Sequence, residues 1–154
     1  MGKFQSTKIF DGFSTVFRQW KAEETHCKYL HGYGVSFKVW FEGELDEKNW
    51  VWDFGGMKRA KTKIDDMSPK EWMDYMFDHT MIIAEDDPEV EAFKQMDVAG
   101  VAQVRVIPAT GAEKFAEYIY NKLNDFVLTE TDGRVKVTKV KFAEHGKNAA
   151  YYSE

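Results

Sequence analysis

The sequence predicts an α+β domain in which helices cover one face of an antiparallel sheet. Three observations predict it: period-two apolar alternation at residues 35–41, helical periodicity after Ser68 and again after Thr110, and a closing β-rich segment at residues 134–142. Few strands alternate with crossover helices, so a doubly wound parallel sheet is not expected.

In chain order, an early strand covers residues 4–20 with a break near Asp11-Gly12. In the next, Val35, Phe37, Val39 and Phe41 occupy one face, and Ser36, Lys38, Trp40 and Glu42 the other. Residues 43–49 supply turn residues. Residues 50–54, rich in aromatic and β-branched side chains, are expected to return as the second strand of an antiparallel hairpin. Ser68-Pro69-Lys70-Glu71 sets a capping hydroxyl before a proline at the first helical position, with Trp72, Met73, Met76 and Phe77 on the buried face behind it. Asp87-Pro88 opens a second, short acidic helix by the same logic. Thr110-Gly111-Ala112-Glu113 reads as a capping box, followed every four residues by Phe115, Ile119 and Leu123, with Ala116 and Tyr120 beside them. Asp132-Gly133 marks a turn. In the last strand the apolar phase slips between Val137 and Val140, which predicts a bulge near Lys139.

The 154 residues suit one domain with one core, and 44% hydrophobic and 16% aromatic content with only 3 Pro argue against disorder. Lys and Arg number 21 against 26 Asp and Glu, a net charge of −5, and no basic cluster is dense enough to follow a phosphate backbone. A nucleic-acid partner is not expected. The single cysteine excludes an internal disulfide framework and a CxxC metal knuckle, which fits a reducing, cytoplasmic setting. There is no signal-peptide core and no apolar run of membrane-spanning length, so the chain is read as mature, soluble protein without a membrane partner. The glycine pairs lack the context of a dinucleotide or P-loop site, which excludes nucleotide cofactors of those types. Glu85-Asp86-Asp87 lacks EF-hand spacing and reads as a solvated helix start.

Three places hold residues that could do chemistry. Cys27 and His31 lie in THCKYLHGYG just before the strongest strand. Cys27 is either a small buried thiol or a base activated by a neighbouring histidine, and His26 is equally a solvent-exposed loop residue. Asp78-His79 ends the run that begins at Trp72. The acid could orient the imidazole for proton transfer, or Asp78 could serve the helix end while His79 packs at the core edge. Glu144, at the end of the last strong strand, offers two acceptor oxygens to paired N–H donors of a planar heterocycle, though most glutamates are simply solvated.

In this order the segments resemble the 6-pyruvoyl-tetrahydropterin synthase and 6-carboxytetrahydropterin synthase family. FSTVFRQW (residues 13–20) looks like FSAAHRL, CKYLHGYG (27–34) like CxxxHGHNY, and GELD (43–46) matches as it stands. WVWDFGGMK (50–58), FDHT (77–80), AEKFAEYIYNKL (112–123) and VKFAEHGKNAAYY (140–152) resemble the family's later motifs, so the likeness spans nearly the whole chain. It implies a single T-fold domain over residues 1–154, assembly of protomers into barrels, and active sites at subunit interfaces. The implied substrate is 7,8-dihydroneopterin triphosphate or another pterin or purine-like molecule, in tetrahydropterin or queuosine biosynthesis. Cys27 would be the general base, Asp78 and His79 a proton-relay pair, and Glu144 the grip on the pterin edge. Family members hold zinc with three histidines. The matching positions here are Phe17, His31 and Tyr33, so His31 is the sole retained ligand, and neither His26 nor His145 lies at a matching position. Two alternatives follow: a metal-free T-fold protein that binds a pterin or purine, and a metal-independent aldolase acting on dihydroneopterin.

Overall fold

The computed structural model describes residues 2–154. Its six strands are β1 (Phe4–Phe17), β2 (His31–Gly43), β3 (Thr80–Ala84), β4 (Val104–Ile107), β5 (Val135–Glu144) and β6 (Asn148–Tyr152). They form one sheet in the order β4-β3-β1-β2-β5-β6. The helices are α1 (Gly56–Arg59), α2 (Pro69–Phe77), α3 (Val90–Val98) and α4 (Ala112–Glu130). No helix of the described residues is long and apolar enough to cross a membrane.

Strand β2 is the spine. Its period-two pattern buries Tyr33, Val35, Phe37, Val39 and Phe41 on the helix side, and it pairs antiparallel with β1 on one edge and β5 on the other. With both edges occupied, residues 50–54 cannot join it. They form a loop whose Val51 and Trp52 still reach the core, so the hairpin partner of β2 is β1, not this segment. The break near Asp11-Gly12 is a register shift between Phe10 and Phe13, with Gly12 at φ +83°, a conformation that favours glycine. The phase slip in β5 is also a register shift: Trp40 faces Lys139 while Phe41 faces Val137, so Thr138 is the extra residue.

On the other side, β3 pairs in parallel with β1, and β4 with β3, which makes the sheet mixed. Only residues 15–17 of β1 pair with β3, so residues 4–13 have one edge without a strand partner among the described residues. β3 is buried throughout, as strands covered on both faces are.

Helix α2 starts as its sequence directs, with Ser68 Oγ accepting from Glu71 N at 3.2 Å. Helix α4 does not. Gly111 at φ +119° is its N-cap, and Thr110 turns away to donate to the Arg18 carbonyl at 2.7 Å, so the capping box does not form. Helix α3 begins at Val90, two residues beyond Pro88. The core lies between the sheet and α2 and α4. It is strongly aromatic: Phe37, Phe77, Phe115 and Phe142 have ring centroids 5.1–6.4 Å apart, edge-on, tilted or stacked.

Candidate functional site

Antiparallel pairing gathers one group of the sequence candidates at one end of the sheet. Phe17 at the end of β1 faces His31 at the start of β2, Thr15 faces Tyr33, and Val35 faces Glu144 at the end of β5. Residues opposite one another share a face, so Phe17, His31, Tyr33 and Glu144 lie together on the helix side, near the first turn of α4.

Their side chains form an aromatic packing. Phe17 is 1% exposed, stacks on Tyr33 at 4.3 Å and meets Phe115 of α4 edge-on at 4.8 Å. Tyr33 also packs against His31 at 4.3 Å and His145 at 4.8 Å. His145 follows β5 at φ +56°, and two contacts to β2 hold it: its N–H donates to Gly34 O at 2.9 Å, and Gly34 N–H donates to its Nδ1 at 3.4 Å. His31 Nδ1 lies 3.1 Å from the Tyr29 carbonyl. A carbonyl only accepts, so that nitrogen carries the proton and Nε2 is the open one.

Burial shapes the site's electrostatics. It pushes the Tyr33 phenol up to about 12, with the negative charge of Glu144 and the neighbouring Cys27 adding to the effect. At neutral pH Tyr33 therefore keeps its proton. Burial also raises the Glu144 carboxyl; His145 opposes that rise, Glu113 reinforces it, and His31 opposes it.

Cys27 sits in a single 3₁₀ turn, His26–Lys28, between β1 and β2. Thr25 Oγ1 accepts from Cys27 N at 3.2 Å, and the Cys27 carbonyl accepts from Gln19 N at 2.8 Å. The thiol is exposed, so the buried-cysteine alternative is not what the fold adopts. His26 is exposed as well.

Asp78 and His79 lie across β1 from this group. Asp78 Oδ1 accepts from Ser14 N at 3.2 Å, and His79 N donates to Ser14 O at 2.7 Å. His79 is the first residue after the C-cap of α2, and its φ of +58° turns the ring outward to exposure, not to the core edge. Its Nδ1 is 3.1 Å from Asp78 Oδ1, the contact by which an acid orients an imidazole. The row His145, Gly34, Ser14, His79 runs through backbone contacts across the sheet. Three strand spacings, roughly 14 Å, thus separate His79 from His145, whereas Phe17 lies on β1 itself, one spacing from the relay pair.

Sequence reasoning missed two features. One is the stack of Tyr33 on His145, which no local pattern marks. The other is Asp87: it is 3% exposed, not part of a solvated run, and takes Arg18 Nε at 2.8 Å and Nη2 at 2.6 Å. Arg18 Nη1 also donates to Lys28 O at 3.3 Å, which ties the Cys27 turn to the approach to α3.

A family model described as 6-pyruvoyl tetrahydropterin synthase matches residues 7–154. The chain belongs to that family. Among curated relatives, the putative 6-carboxy-5,6,7,8-tetrahydropterin synthase of Pyrococcus horikoshii is 24% identical over 150 residues, 96% of this chain and 87% of that protein. The probable 6-carboxy-5,6,7,8-tetrahydropterin synthase of Halobacterium salinarum is 29% identical over 112 residues, 73% of this chain and 65% of that protein. Among solved structures, an uncharacterized protein of Wolinella succinogenes superposes with a TM-score of 0.78 at 21% identity, covering 100% of this chain and 99% of that one. The 6-pyruvoyl tetrahydropterin synthase of Caenorhabditis elegans gives 0.62 at 21% identity, covering 100% and 97%. These likenesses establish the T-fold.

The residues at the family's zinc positions do not fit the metal. Phe17 has no donor atom, Tyr33 keeps its phenolic proton, and only His31 offers a ligand nitrogen. Among the described residues no three His, Cys, Asp or Glu side chains are grouped as metal ligands.

Proposed function

We propose that the chain is a pterin-processing lyase, acting on carbon–oxygen or carbon–carbon bonds of 7,8-dihydroneopterin triphosphate in tetrahydropterin or queuosine biosynthesis. The observation that supports it most is the placement of Glu144, a partly buried carboxylate whose charge is felt by Tyr33 and which is itself influenced by His145 and His31. Its two oxygens suit the paired N–H donors of a 2-amino-4-oxo ring edge. The exposed Cys27 thiol serves as base at the substrate side chain, and Asp78–His79 moves the second proton. Because that pair lies across β1 within one protomer, the reading places the working site between copies of the chain in a cytoplasmic homo-oligomer, where a neighbour supplies its own Asp78–His79. No step runs through zinc or a nucleotide cofactor.

The test is incubation of the purified protein with 7,8-dihydroneopterin triphosphate. Release of triphosphate with formation of a tetrahydropterin is expected, and Cys27→Ala should abolish it while the circular dichroism spectrum stays unchanged. Absence of turnover, with or without added zinc, rejects the lyase. The donor-poor zinc positions favour a second reading, a metal-free protein that binds pterin without converting it. Calorimetry would select that reading if pterin binds without turnover and Glu144→Gln weakens it. Glycolaldehyde among the products would instead mark aldolase-type cleavage.

A further inference from the structure

Where the family pattern has three histidines, this chain has a packed aromatic column in which His31 Nε2 and the Tyr33 hydroxyl are the polar atoms without a partner among the described residues. Phe17 is clamped between Tyr33 and the edge of Phe115, so its ring cannot swing aside without opening a cavity in the core. Tyr33 is 8% exposed and held by Phe17, His31 and His145, which leaves its hydroxyl only rotation about the C–O bond. The sealed polar side-chain atoms without a partner among the described residues are Ser6 Oγ and Trp72 Nε1. The Tyr33 hydroxyl is not one of them, and no described residue hydrogen-bonds to it: it is unpartnered and open to what enters the site. A phenol whose ring is buried and whose O–H stays accessible is satisfied by water or by a ligand acceptor.

We propose that the Tyr33 hydroxyl is a ligand-binding hydrogen-bond donor at the point where three histidines would hold a metal ion, and that this chain takes up no zinc. The carboxylate of Glu144 stands on the same face, so an anionic group would be repelled there. The acceptor is therefore an uncharged oxygen, a hydroxyl or carbonyl on a side chain attached to the ring that Glu144 grips. The ligand's identity rests on the pterin reading above; the metal statement does not.

Two measurements test the proposal. In the first, wild type and the Phe17→His/Tyr33→His double variant are dialysed against zinc and their bound metal is measured. Wild type should hold only substoichiometric zinc, whereas the double variant, with His31, should hold one equivalent. Stoichiometric zinc in wild type overturns the metal statement whether or not the double variant folds, and failure of a folded double variant to take up zinc overturns the placement of the three positions around one point.

In the second, calorimetry compares 7,8-dihydroneopterin, whose side chain carries hydroxyls, with 6-methylpterin, which lacks them. Tyr33→Phe should weaken the first about fivefold, the worth of one neutral hydrogen bond, and leave the second unchanged. Glu144→Gln should weaken both. Equal affinity of wild type and Tyr33→Phe for dihydroneopterin overturns the donor role and leaves the pterin reading standing. Wild type with no affinity for either compound overturns that reading and the donor role together.

Discussion

Replacing Asp87 with alanine removes the ion-pair partner of the Arg18 guanidinium and leaves it the Lys28 carbonyl and the Phe93 ring. The carboxylate is 3% exposed and takes two N–H donors from Arg18 at 2.8 and 2.6 Å. Breaking a buried pair from one side costs roughly 3–5 kcal/mol. The Arg18 side chain keeps 20% of its exposure, so the low end, about 3 kcal/mol, applies. At roughly 2–4 °C per kcal/mol for a domain of this size, the melting temperature should fall by about 6–12 °C at pH 7. Asp87→Asn, which keeps acceptor capacity for one Arg18 contact, should lose less. The loss should also depend on pH. Burial pushes the Asp87 carboxyl up, but hydrogen bonds from Arg18 and from Glu89 N, with the charge of Arg18, outweigh it and hold the group below the ordinary range. A depressed folded-state pKa gives stability that is present above the unfolded value of about 4 and is lost as pH falls through the folded one. Melts followed by circular dichroism should therefore show the wild-type and Asp87→Ala curves converging in acid. A shift under about 1 °C at pH 7, or a gap that stays constant down to pH 2, would refute the reasoning.

Glu144→Gln should raise the melting temperature at neutral pH, because burial lifts the folded-state pKa of this carboxyl and its ionised form weakens the fold. The advantage over wild type should vanish below the unfolded value of about 4, where both states are protonated, and open as pH rises; a melt series checks it. Gly43→Ala should destabilise by about 1–3 kcal/mol, since its added methyl would run into the backbone carbonyl of Arg134, and urea unfolding measures it. Mixing Cys27→Ala and His79→Ala proteins after reversible dissociation should restore part of the turnover that each alone lacks, if neighbouring copies share a site. Hybrids as inactive as their parents would show that each protomer uses its own pair.

How much of this was legible depends on whether a signal is local. Strand β2 is readable because its faces differ at every step, and α2 because its cap, proline and apolar stripe agree. The segment at 50–54 has strand composition but no free edge to join, and edge occupancy is not written in a window of sequence. Strand β3 is not legible because a run buried on both faces shows no alternation. Asp87 looked solvated because its acidic neighbours Glu85 and Asp86 are; only the fold brings Arg18 to it. At the site, the order of motifs led to Cys27, His31, Asp78, His79 and Glu144. The geometry then divided them across β1 and added His145, whose stacking on Tyr33 depends on the end of β5 meeting the start of β2.

The one-sided pairing of β1 carries a cost of its own. Along residues 4–13, a row of amides and carbonyls faces away from β2 with no strand among the described residues to receive it. Such a margin is a template: it accepts water, a complementary copy, or, in a damaged population, any extended segment that drifts alongside. Destabilised variants of this protein are thus expected to fail by adding strands edge to edge into fibrillar aggregates, with β content retained while solubility is lost.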